Sequence, residues 1–133
     1  SYRAFGSDLG RDATPLESGL DRFVDLTKEF RGKAAMEATG IRSKCVTLLM
    51  DGPADADPWG REALLDGAEV VGRLTSGGWS VAAGRQIGLG YVRPEFGVPG
   101  TRLKLRMMGA LFDAAVVEDS PHDPTNARLR ADG

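Results

Sequence analysis

The feature that most constrains the fold is a series of short β-prone segments after residue 43, separated by turn-forming residues and never by a helical pattern. Residues 45–50 form a continuous apolar run, typical of a strand that is buried on both faces. Residues 101–107 alternate instead, with Leu or Met on one face and basic side chains on the other. Residues 86–92 and 111–117 complete the pattern. Several short strands without intervening helices predict a small antiparallel barrel or sandwich.

Turn chemistry separates these segments. The Asp-Gly pair at 66–67 lies between residues 62–65 and 69–74. It predicts a hairpin closed by a type I′ turn, because that turn needs positive φ angles. Residues 51–60 combine Asp, Gly and Pro repeatedly and predict a loop. Residues 75–78 (Thr-Ser-Gly-Gly) predict another turn between strands.

Glycines and tryptophans mark special positions in this β region. Gly88 and Gly90 lie inside a predicted strand, where they indicate a bulge, a bend or a close approach of two backbones. Trp59 and Trp79 each lie beside a glycine in a predicted loop. An aromatic side chain at such a place either plugs the end of a barrel or stacks on a ligand, and we expect plugging.

The first forty residues follow a different pattern. Thr14, Pro15 and Glu17 form the capping signature of a helix start and predict a short helical turn at about residues 15–19. An extended piece is expected to follow. Residues 32–38 are rich in helix-forming side chains and predict a second helix, which a glycine at position 40 would end.

Composition narrows the classes of function. The 133 residues include 17 basic and 19 acidic side chains, for a net charge of −2. No basic face is indicated, so nucleic acid is not a predicted partner. No apolar run reaches the roughly 20 residues that a membrane-spanning helix needs, so a membrane is not a predicted partner either. The single cysteine, Cys45, excludes an intramolecular disulfide and indicates a reducing compartment, and we expect it to be buried.

The chain offers little catalytic chemistry of its own. A zinc site needs several His or Cys ligands, whereas the sequence holds one of each, so no metal is predicted. The lone histidine, His122, is expected to be a surface residue of a polar, proline-broken tail. Asp51, Asp55 and Asp57 lack the spacing of a calcium loop and are predicted to be turn residues. From these patterns we predict a mainly β domain without a complete active site, and no catalytic residue is assigned.

Six phrases, in order along the chain, together resemble one protein family. They are YRAFGSDL at 2–9, TPLESGL at 14–20, FRGKAAM at 30–36, VGRLTSG at 71–77, QIGLGYV at 86–92 and PGTRL at 99–103. This ordered set resembles the C-terminal part of the glycine-cleavage T-protein (aminomethyltransferase) family. The tail at 120–130 is similar to the flavin-linked members, the dimethylglycine and sarcosine dehydrogenases of bacteria.

The resemblance implies a fold and a division of the chain. It implies a closed six-stranded Greek-key antiparallel barrel, preceded by a short helical and extended lead-in. Residues 1–42 would be the C-terminal end of a folate-binding domain, and residues 43–133 would be the barrel domain with a polar tail.

The resemblance also implies that the chain is the C-terminal piece of a longer bacterial, cytoplasmic enzyme. In that parent a flavin domain, holding FAD outside this chain, oxidises an N-methylated glycine. Tetrahydrofolate then captures the one-carbon unit. The expected partners are the folate-binding and flavin domains of the same polypeptide and the small-molecule folate itself.

Few site residues carry over from the family. The catalytic Asp and the pterin-binding Glu of the family are expected before Ser1. A basic residue that contacts folate corresponds to Lys28, for which an ordinary exposed lysine before a helix is the open alternative. Tyr2 and Trp79 are candidates to line the folate cavity.

Two other interpretations of function stay open at this point. The first is a free-standing aminomethyltransferase or a folate-dependent demethylase, which keeps the family and changes the reaction. Alternatively, the barrel is a non-catalytic structural or binding module that packs on another domain and has no ligand of its own.

Overall fold

The protein is a six-stranded antiparallel barrel with a lead-in packed against its outer surface. A computed structural model describes residues 2–125 and 127–130. The strands are β1 (Lys44–Met50), β2 (Ala63–Asp66), β3 (Glu69–Ser80), β4 (Arg85–Val92), β5 (Arg102–Met107) and β6 (Ala110–Val117). The helices are α1 (Lys33–Thr39) and α2 (Ala127–Arg130), and 3-10 turns span Asp21–Phe23 and Pro94–Phe96.

The barrel closes in the order β1-β4-β3-β2-β5-β6, with every neighbouring pair antiparallel. The strands β2, β3 and β4 follow one another as a meander, and β1 lies beside β4, which is the Greek-key arrangement. The predicted closed six-stranded Greek-key barrel is confirmed.

Alternating residues of the strands fill the interior. From β1 come Val46, Leu48 and Met50, and β5 contributes its predicted apolar face, Leu103–Met107 in alternation. The other face of β1 is buried as well, since Cys45 is only 4% exposed and Thr47 only 1%. Both predictions, a half-buried β5 and a β1 buried on both faces, are confirmed. The reason for the second lies in the lead-in, which covers the outer face of β1.

The predicted hairpin between β2 and β3 is present, but its turn type differs. Asp66 pairs with Glu69, so the central residues are Gly67 and Ala68, and only the first of them, Gly67, has a positive φ, 57°. A type I′ turn needs a positive φ at both central residues, so the geometry is that of a type II′ turn. The β5–β6 hairpin instead has positive φ at both Met108 (51°) and Gly109 (77°), as a type I′ turn requires.

The prediction of a turn at residues 75–78 is wrong. Strand β3 continues to Ser80, and Gly77 pairs with Gly88 of β4. A register shift between Leu74 and Ser76 marks the bulge that lets the strand bend there. The glycine of β4 allows close packing, as predicted: a Cβ at Gly88 would lie 2.8 Å from a methyl of Leu74 and 2.8 Å from that of Met50.

A glutamine, and not a tryptophan, seals one end of the barrel. Gln86 is fully buried, and its amide nitrogen donates to the carbonyl oxygens of Pro53 (2.8 Å) and Ala56 (2.6 Å). These bonds hold the 51–60 loop over the barrel end. Trp59 is 98% exposed, so the prediction that it plugs the barrel is wrong, and Trp79 is 41% exposed.

The lead-in (residues 2–43) is mostly turns. The capped turn at 15–19 is present, and α1 ends at Gly40, whose φ is 66°, as predicted. Of the extended piece expected at residues 23–26, only Val24 has the extended angles (φ −108°, ψ 109°), because Asp21–Phe23 forms a 3-10 turn and another turn follows at residues 26–27.

The tail carries one short helix, α2, beyond an exposed His122, which agrees with the predicted surface position. The parts of the predicted polar tail at residues 126 and 131–133 lie outside the described residues. Within residues 2–125 and 127–130, no helix has the length and apolar character needed to cross a membrane.

Candidate functional site

Two buried carboxylates organise the lead-in: Glu17 binds groups within it, and Asp8 binds the barrel. The first, Glu17, is fully buried and completes the capping box, since the backbone N–H of Thr14 donates to it (2.8 Å) and its own N–H donates to the Thr14 hydroxyl (3.2 Å). Arg42 donates to both carboxylate oxygens, from Nε (3.1 Å) and Nη2 (3.0 Å). The backbone N–H groups of Arg42 and Ser43 also donate to it.

These donors determine the charge of Glu17. The Arg42 guanidinium, followed by the backbone donors, lowers the pKa of Glu17 to about 2 against the opposing effect of burial. The carboxylate is therefore ionised at neutral pH. Because every donor around it comes from residues 14–43, Glu17 fixes the path of the chain as it enters β1.

The second carboxylate, Asp8, fastens the start of the lead-in to β3. It is 3% exposed and accepts hydrogen bonds from the hydroxyls of Thr75 and Ser76, each at 2.6 Å, and from the N–H of Ala4 at 2.9 Å. Burial raises the pKa of Asp8, but these hydrogen bonds outweigh it and the net pKa is lowered. The Thr-Ser pair of β3, predicted to form a turn, therefore binds this carboxylate.

Tyr91 of β4 contacts the lead-in near both carboxylates, at Asp8 and at Ser18. Its hydroxyl donates to the carbonyl oxygen of Asp8 (2.9 Å) and lies 2.9 Å from the hydroxyl of Ser18. The buried side of β1 is fastened similarly: Arg3 contacts the Cys45 sulfur (3.2 Å) and pairs with Asp119 (2.9 Å). Burial raises the pKa of the Cys45 thiol, which keeps it protonated and unreactive, in agreement with its predicted structural role.

An open groove of about 870 Å³ runs between the lead-in and the barrel, beside the hydrogen-bonded residues Asp8, Arg42 and Tyr91. On one side it is lined by the 6–13 segment with Arg42 and Ser43, and on the other by the 59–61 loop and by parts of β3 and β4. Its charged lining residues are the arginines Arg42, Arg61, Arg73 and Arg93 and the aspartates Asp8 and Asp12. The groove is thus basic, although the chain as a whole carries a net charge of −2.

The arginines of the groove differ in how they are paired. Arg42 binds Glu17, and Arg93 contacts Glu69 (2.9 Å) and Glu95 (3.4 Å). Arg61 and Arg73 are exposed, and neither forms an ion pair with any residue that the structure describes. Two uncompensated guanidinium groups therefore face one groove.

The sequence-predicted site residues lie elsewhere. Lys28 is exposed and makes a 3.4 Å ion pair with Asp25, Tyr2 is 80% exposed, and Trp79 donates its backbone N–H to Asp57. None of the three lines the groove. Within the part of the chain that the structure describes, no cluster of three or more His, Cys, Asp and Glu side chains could hold a metal ion.

Sequence reasoning missed the groove and its arginines. The signal that was available is local: Arg73 occupies an outward position of a hairpin strand, and Arg61 follows a Trp-Gly pair inside a region of breakers. What the sequence does not show is that residues 6–13 return to cover this side of the barrel, which depends on contacts across more than sixty positions.

The fold and the contact between lead-in and barrel define the class of domain to which the chain belongs. It is a closed six-stranded barrel whose outer face carries a firmly attached lead-in and a basic groove. The comparison with protein families makes this specific. The chain belongs to the family of the glycine cleavage T-protein C-terminal barrel domain, which matches residues 44–123. The family that the sequence phrases resemble is thereby confirmed.

Curated relatives fall into two groups. Mitochondrial dimethylglycine dehydrogenase of Rattus norvegicus is 33% identical over 142 aligned residues, covering all of this chain and 16% of that protein. The aminomethyltransferase of Thermosynechococcus vestitus is 38% identical, over 85% of this chain and 31% of that protein. The chain therefore spans under a third of the length of these relatives.

A solved structure shows the same fold. The aminomethyltransferase T of the glycine cleavage system from Bartonella henselae superposes with a TM-score of 0.76, over 90% of this chain and 34% of that one. At 23% sequence identity the likeness shows the architecture alone.

Proposed function

We propose that the chain is the C-terminal part of a tetrahydrofolate-dependent one-carbon enzyme of the dimethylglycine and sarcosine dehydrogenase kind. The observation that carries this proposal is the extent of the similarity. Rat dimethylglycine dehydrogenase aligns with the whole chain, lead-in included, and mouse sarcosine dehydrogenase with 97% of it. The cyanobacterial aminomethyltransferase aligns with 85%.

In the proposed reaction the parent enzyme oxidises an N-methylated glycine. Two electrons and a proton leave an N-methyl C–H bond, and the FAD of a domain outside this chain supplies the redox chemistry. A nitrogen of tetrahydrofolate attacks the resulting iminium carbon, and the bond from this carbon to the substrate nitrogen then breaks, so that the demethylated amine leaves and the methylene group stays on the folate. Holding the folate and this carbon together in a fixed orientation is the main catalytic contribution that a binding cavity makes.

The two buried carboxylates described above, Asp8 and Glu17, do not suit the pterin ring. A pterin edge presents N–H donors, which a carboxylate binds through two parallel hydrogen bonds. Asp8 and Glu17 are buried and already accept hydrogen bonds from groups of this chain. This supports the assignment of the pterin contact, and of the catalytic Asp, to the preceding folate-binding domain.

The role proposed for this chain is to close the folate cavity and exclude water. Residues 1–42 would form the end of the folate-binding domain, and residues 43–133 the barrel and tail. Tyr2, Lys28 and Trp79 are the proposed folate contacts. The exposed Lys28–Asp25 pair contributes little to stability, so this lysine is available to a ligand. The proposed partners are the folate-binding and flavin domains, in a bacterial cytoplasm.

The test uses the complete polypeptide that contains this chain. Calorimetric titration with 5-formyltetrahydrofolate should give binding that Lys28→Ala weakens about threefold to tenfold. Lys104→Ala is the matched control, because Lys104 is also an exposed lysine paired with an exposed aspartate, Asp113. Unchanged affinity in Lys28→Ala would remove this residue from the site, and absence of folate binding would overturn the proposed function.

A second readout separates the alternatives within the family. Dimethylglycine or sarcosine should bleach the flavin absorbance of the intact protein. An aminomethyltransferase or a folate-dependent demethylase would bind the folate without such bleaching. A structural module would bind no folate.

A further inference from the structure

The turn between β2 and β3 carries an exposed Asp-Gly pair, Asp66 and Gly67. The Asp66 carboxylate forms no ion pair with any residue that the structure describes. Arg93 acts on it electrostatically but pairs with Glu69 (2.9 Å) and Glu95 (3.4 Å) instead. No ion pair therefore fixes the Asp66 side chain in one orientation, and it can turn towards its own backbone.

Gly67 leaves the backbone nitrogen beside this carboxylate accessible. Its φ is 57°, as the first central residue of a type II′ turn requires, and a Cβ at this position would meet no atom within 4 Å. Within the residues that the structure describes, its N–H donates to no backbone carbonyl. The nitrogen of Gly67 and the side-chain carbonyl carbon (Cγ) of Asp66 can thus approach each other with no other side chain between them.

Few contacts hold this turn closed. β2 pairs with β5 only from Ala63 to Leu65, so Asp66 has a single strand partner, Glu69. Both residues of this last pair are exposed. Exposed turns open locally at free energies well below that of global unfolding. Opening of this one pair gives Asp66 the backbone freedom that a reaction with its own main chain needs.

We propose that Asp66–Gly67 is a modification site at which the chain rearranges spontaneously to isoaspartate. The Gly67 nitrogen attacks Cγ of Asp66, and the hydroxyl of the protonated carboxyl leaves with the N–H proton as water. This closes a five-membered succinimide ring. A second water molecule then opens the ring at one of its two carbonyl carbons. Attack at the former main-chain carbonyl leaves the chain running through the Asp66 side chain, whereas attack at Cγ restores aspartate.

A second Asp-Gly pair, Asp51–Gly52, lies where the fold blocks the same reaction. The Asp51 carboxylate pairs with Arg85, and the Asp51 N–H donates to the carbonyl of Asp113 (2.9 Å). A Cβ on Gly52 would overlap the buried side-chain amide of Gln86, which holds the 51–60 loop over the barrel end. Ring closure here would have to displace that loop. The fold therefore directs the rearrangement to the β2–β3 turn.

The rearrangement changes the turn but not the mass of the chain. Isoaspartate adds one methylene to the main chain, so the connection between Asp66 and Glu69 becomes longer than a two-residue type II′ turn. The pairing of these two residues would be lost, and β2 would keep its pairs from Ala63 to Leu65. Because the reaction needs only water, it does not depend on the proposed folate function.

The test ages the complete polypeptide that contains this chain, folded and in urea, in a mildly acidic buffer. Peptide mapping with electron-transfer fragmentation distinguishes isoaspartate from aspartate at each Asp-Gly pair, including the pair at 132–133, which lies outside the described residues. In the folded protein, isoaspartate should accumulate about tenfold faster at 66–67 than at 51–52. In urea the two rates should converge, because the contacts around residues 51–52 are then lost.

Substitutions of Asp66 test the chemistry on one backbone. Asp66→Glu keeps the charge but moves the carboxyl carbon one bond further away, so a ring of the same size cannot form and no rearranged product should appear. Asp66→Asn should give the same isoaspartate faster than wild type, because a side-chain amide loses ammonia more readily than a carboxylate loses water. Asp55→Glu, at an exposed aspartate of the 51–60 loop, is the matched control and should leave the rate at 66–67 unchanged.

Several results would overturn the proposed site. One is the absence of isoaspartate at 66–67 in the folded protein under conditions in which the chain in urea forms it. Another is an equal rate at 66–67 and 51–52 in the folded protein. A rate ratio that urea leaves unchanged would show that the neighbouring sequence, and not the fold, selects the site. A slower reaction in Asp66→Asn than in wild type would contradict the succinimide route.

Discussion

Glu17 shows how one side chain organises the entry to the barrel. It is fully buried and ionised, and its partners are Thr14, Arg42 and Ser43. A buried charge is tolerated only when it is paired and hydrogen-bonded, and here both carboxylate oxygens have donors. The neutral amide of a glutamine would keep the shape but turn an acceptor into a donor that faces other donors.

Glu17→Gln should therefore lower the free energy of unfolding by about 2–3 kcal/mol at pH 7. The folded pKa of about 2 lies below the value of about 4.3 for a free glutamate. The contribution is thus present above about pH 5 and is lost as the pH falls towards about 2. Urea unfolding of both proteins across this range should give a difference that shrinks on acidification.

Glu37→Gln is the matched control, because Glu37 is an exposed residue of α1. It should leave the unfolding free energy within about 0.5 kcal/mol of wild type. A Glu17→Gln difference that stayed constant down to pH 2 would contradict the assignment of the charge to Glu17.

At Arg61, in contrast to Glu17, a substitution is expected to stabilise the protein. Its φ of 76° costs free energy for any residue with a Cβ, and glycine avoids this cost. Arg61→Gly should raise the free energy of unfolding by about 0.5–1 kcal/mol. Arg73→Gly, in the middle of β3, should lower it by about 0.5–1 kcal/mol. Thermal unfolding of the two variants should shift in opposite directions, and a shared direction would argue against strain at Arg61.

At the scale of elements, the close contact of β3 and β4 depends on glycine. A Cβ at Gly88 would meet Leu74 and Met50 at 2.8 Å and the carbonyl of Ser76 at 3.1 Å. Gly88→Ala should cost about 1–3 kcal/mol, because the core on that side has no room for an extra methyl. Gly10→Ala, where nothing lies within 4 Å, is the control and should be neutral or slightly stabilising. Equal urea midpoints for the two would contradict the packing described for β4.

The strands were predictable from the sequence because their signals are local. Alternation identified β5 within one residue of its bounds, and a continuous apolar run identified β1. The extension of β3 through residues 75–78 was not predictable. Two glycines after Thr75 and Ser76 look like a turn, and only the partner residues in β4 and the carboxylate of Asp8 keep them in a strand.

The candidate site was less predictable than the fold. Tyr2, Lys28 and Trp79 came from a resemblance and remain predictions. The groove is formed by residues that lie far apart in the sequence, such as Asp8 and Thr75, and hydrophobic periodicity does not predict such a contact. The assignment of Trp59 to the barrel end failed because a buried polar residue, Gln86, occupies that place through two hydrogen bonds to the loop.

At the scale of the whole molecule, the lead-in and the barrel should unfold together. Asp119, beyond β6, accepts hydrogen bonds from Thr47 of β1 (2.7 Å) and from Arg3 (2.9 Å), so the start of the lead-in and the segment after β6 meet beside β1. Hydrogen exchange should give the amides of Thr14 and Arg42 nearly the same opening free energy as that of Leu48 in the core. Exchange of the lead-in amides at a much lower free energy would show that the lead-in opens independently.

Closure of the barrel has a consequence for how such a module is used in longer proteins. All six strands have two hydrogen-bonded neighbours over part of their length, so the barrel has no edge strand, although Ser76–Ser80 of β3 extend past β2 with β4 as their one strand partner. A neighbouring domain is then joined mainly through side chains and loops, which change more readily than a shared sheet. This makes the unit portable, and it suits the occurrence of related sequences in proteins of which they form 16% in one case and 31% in another.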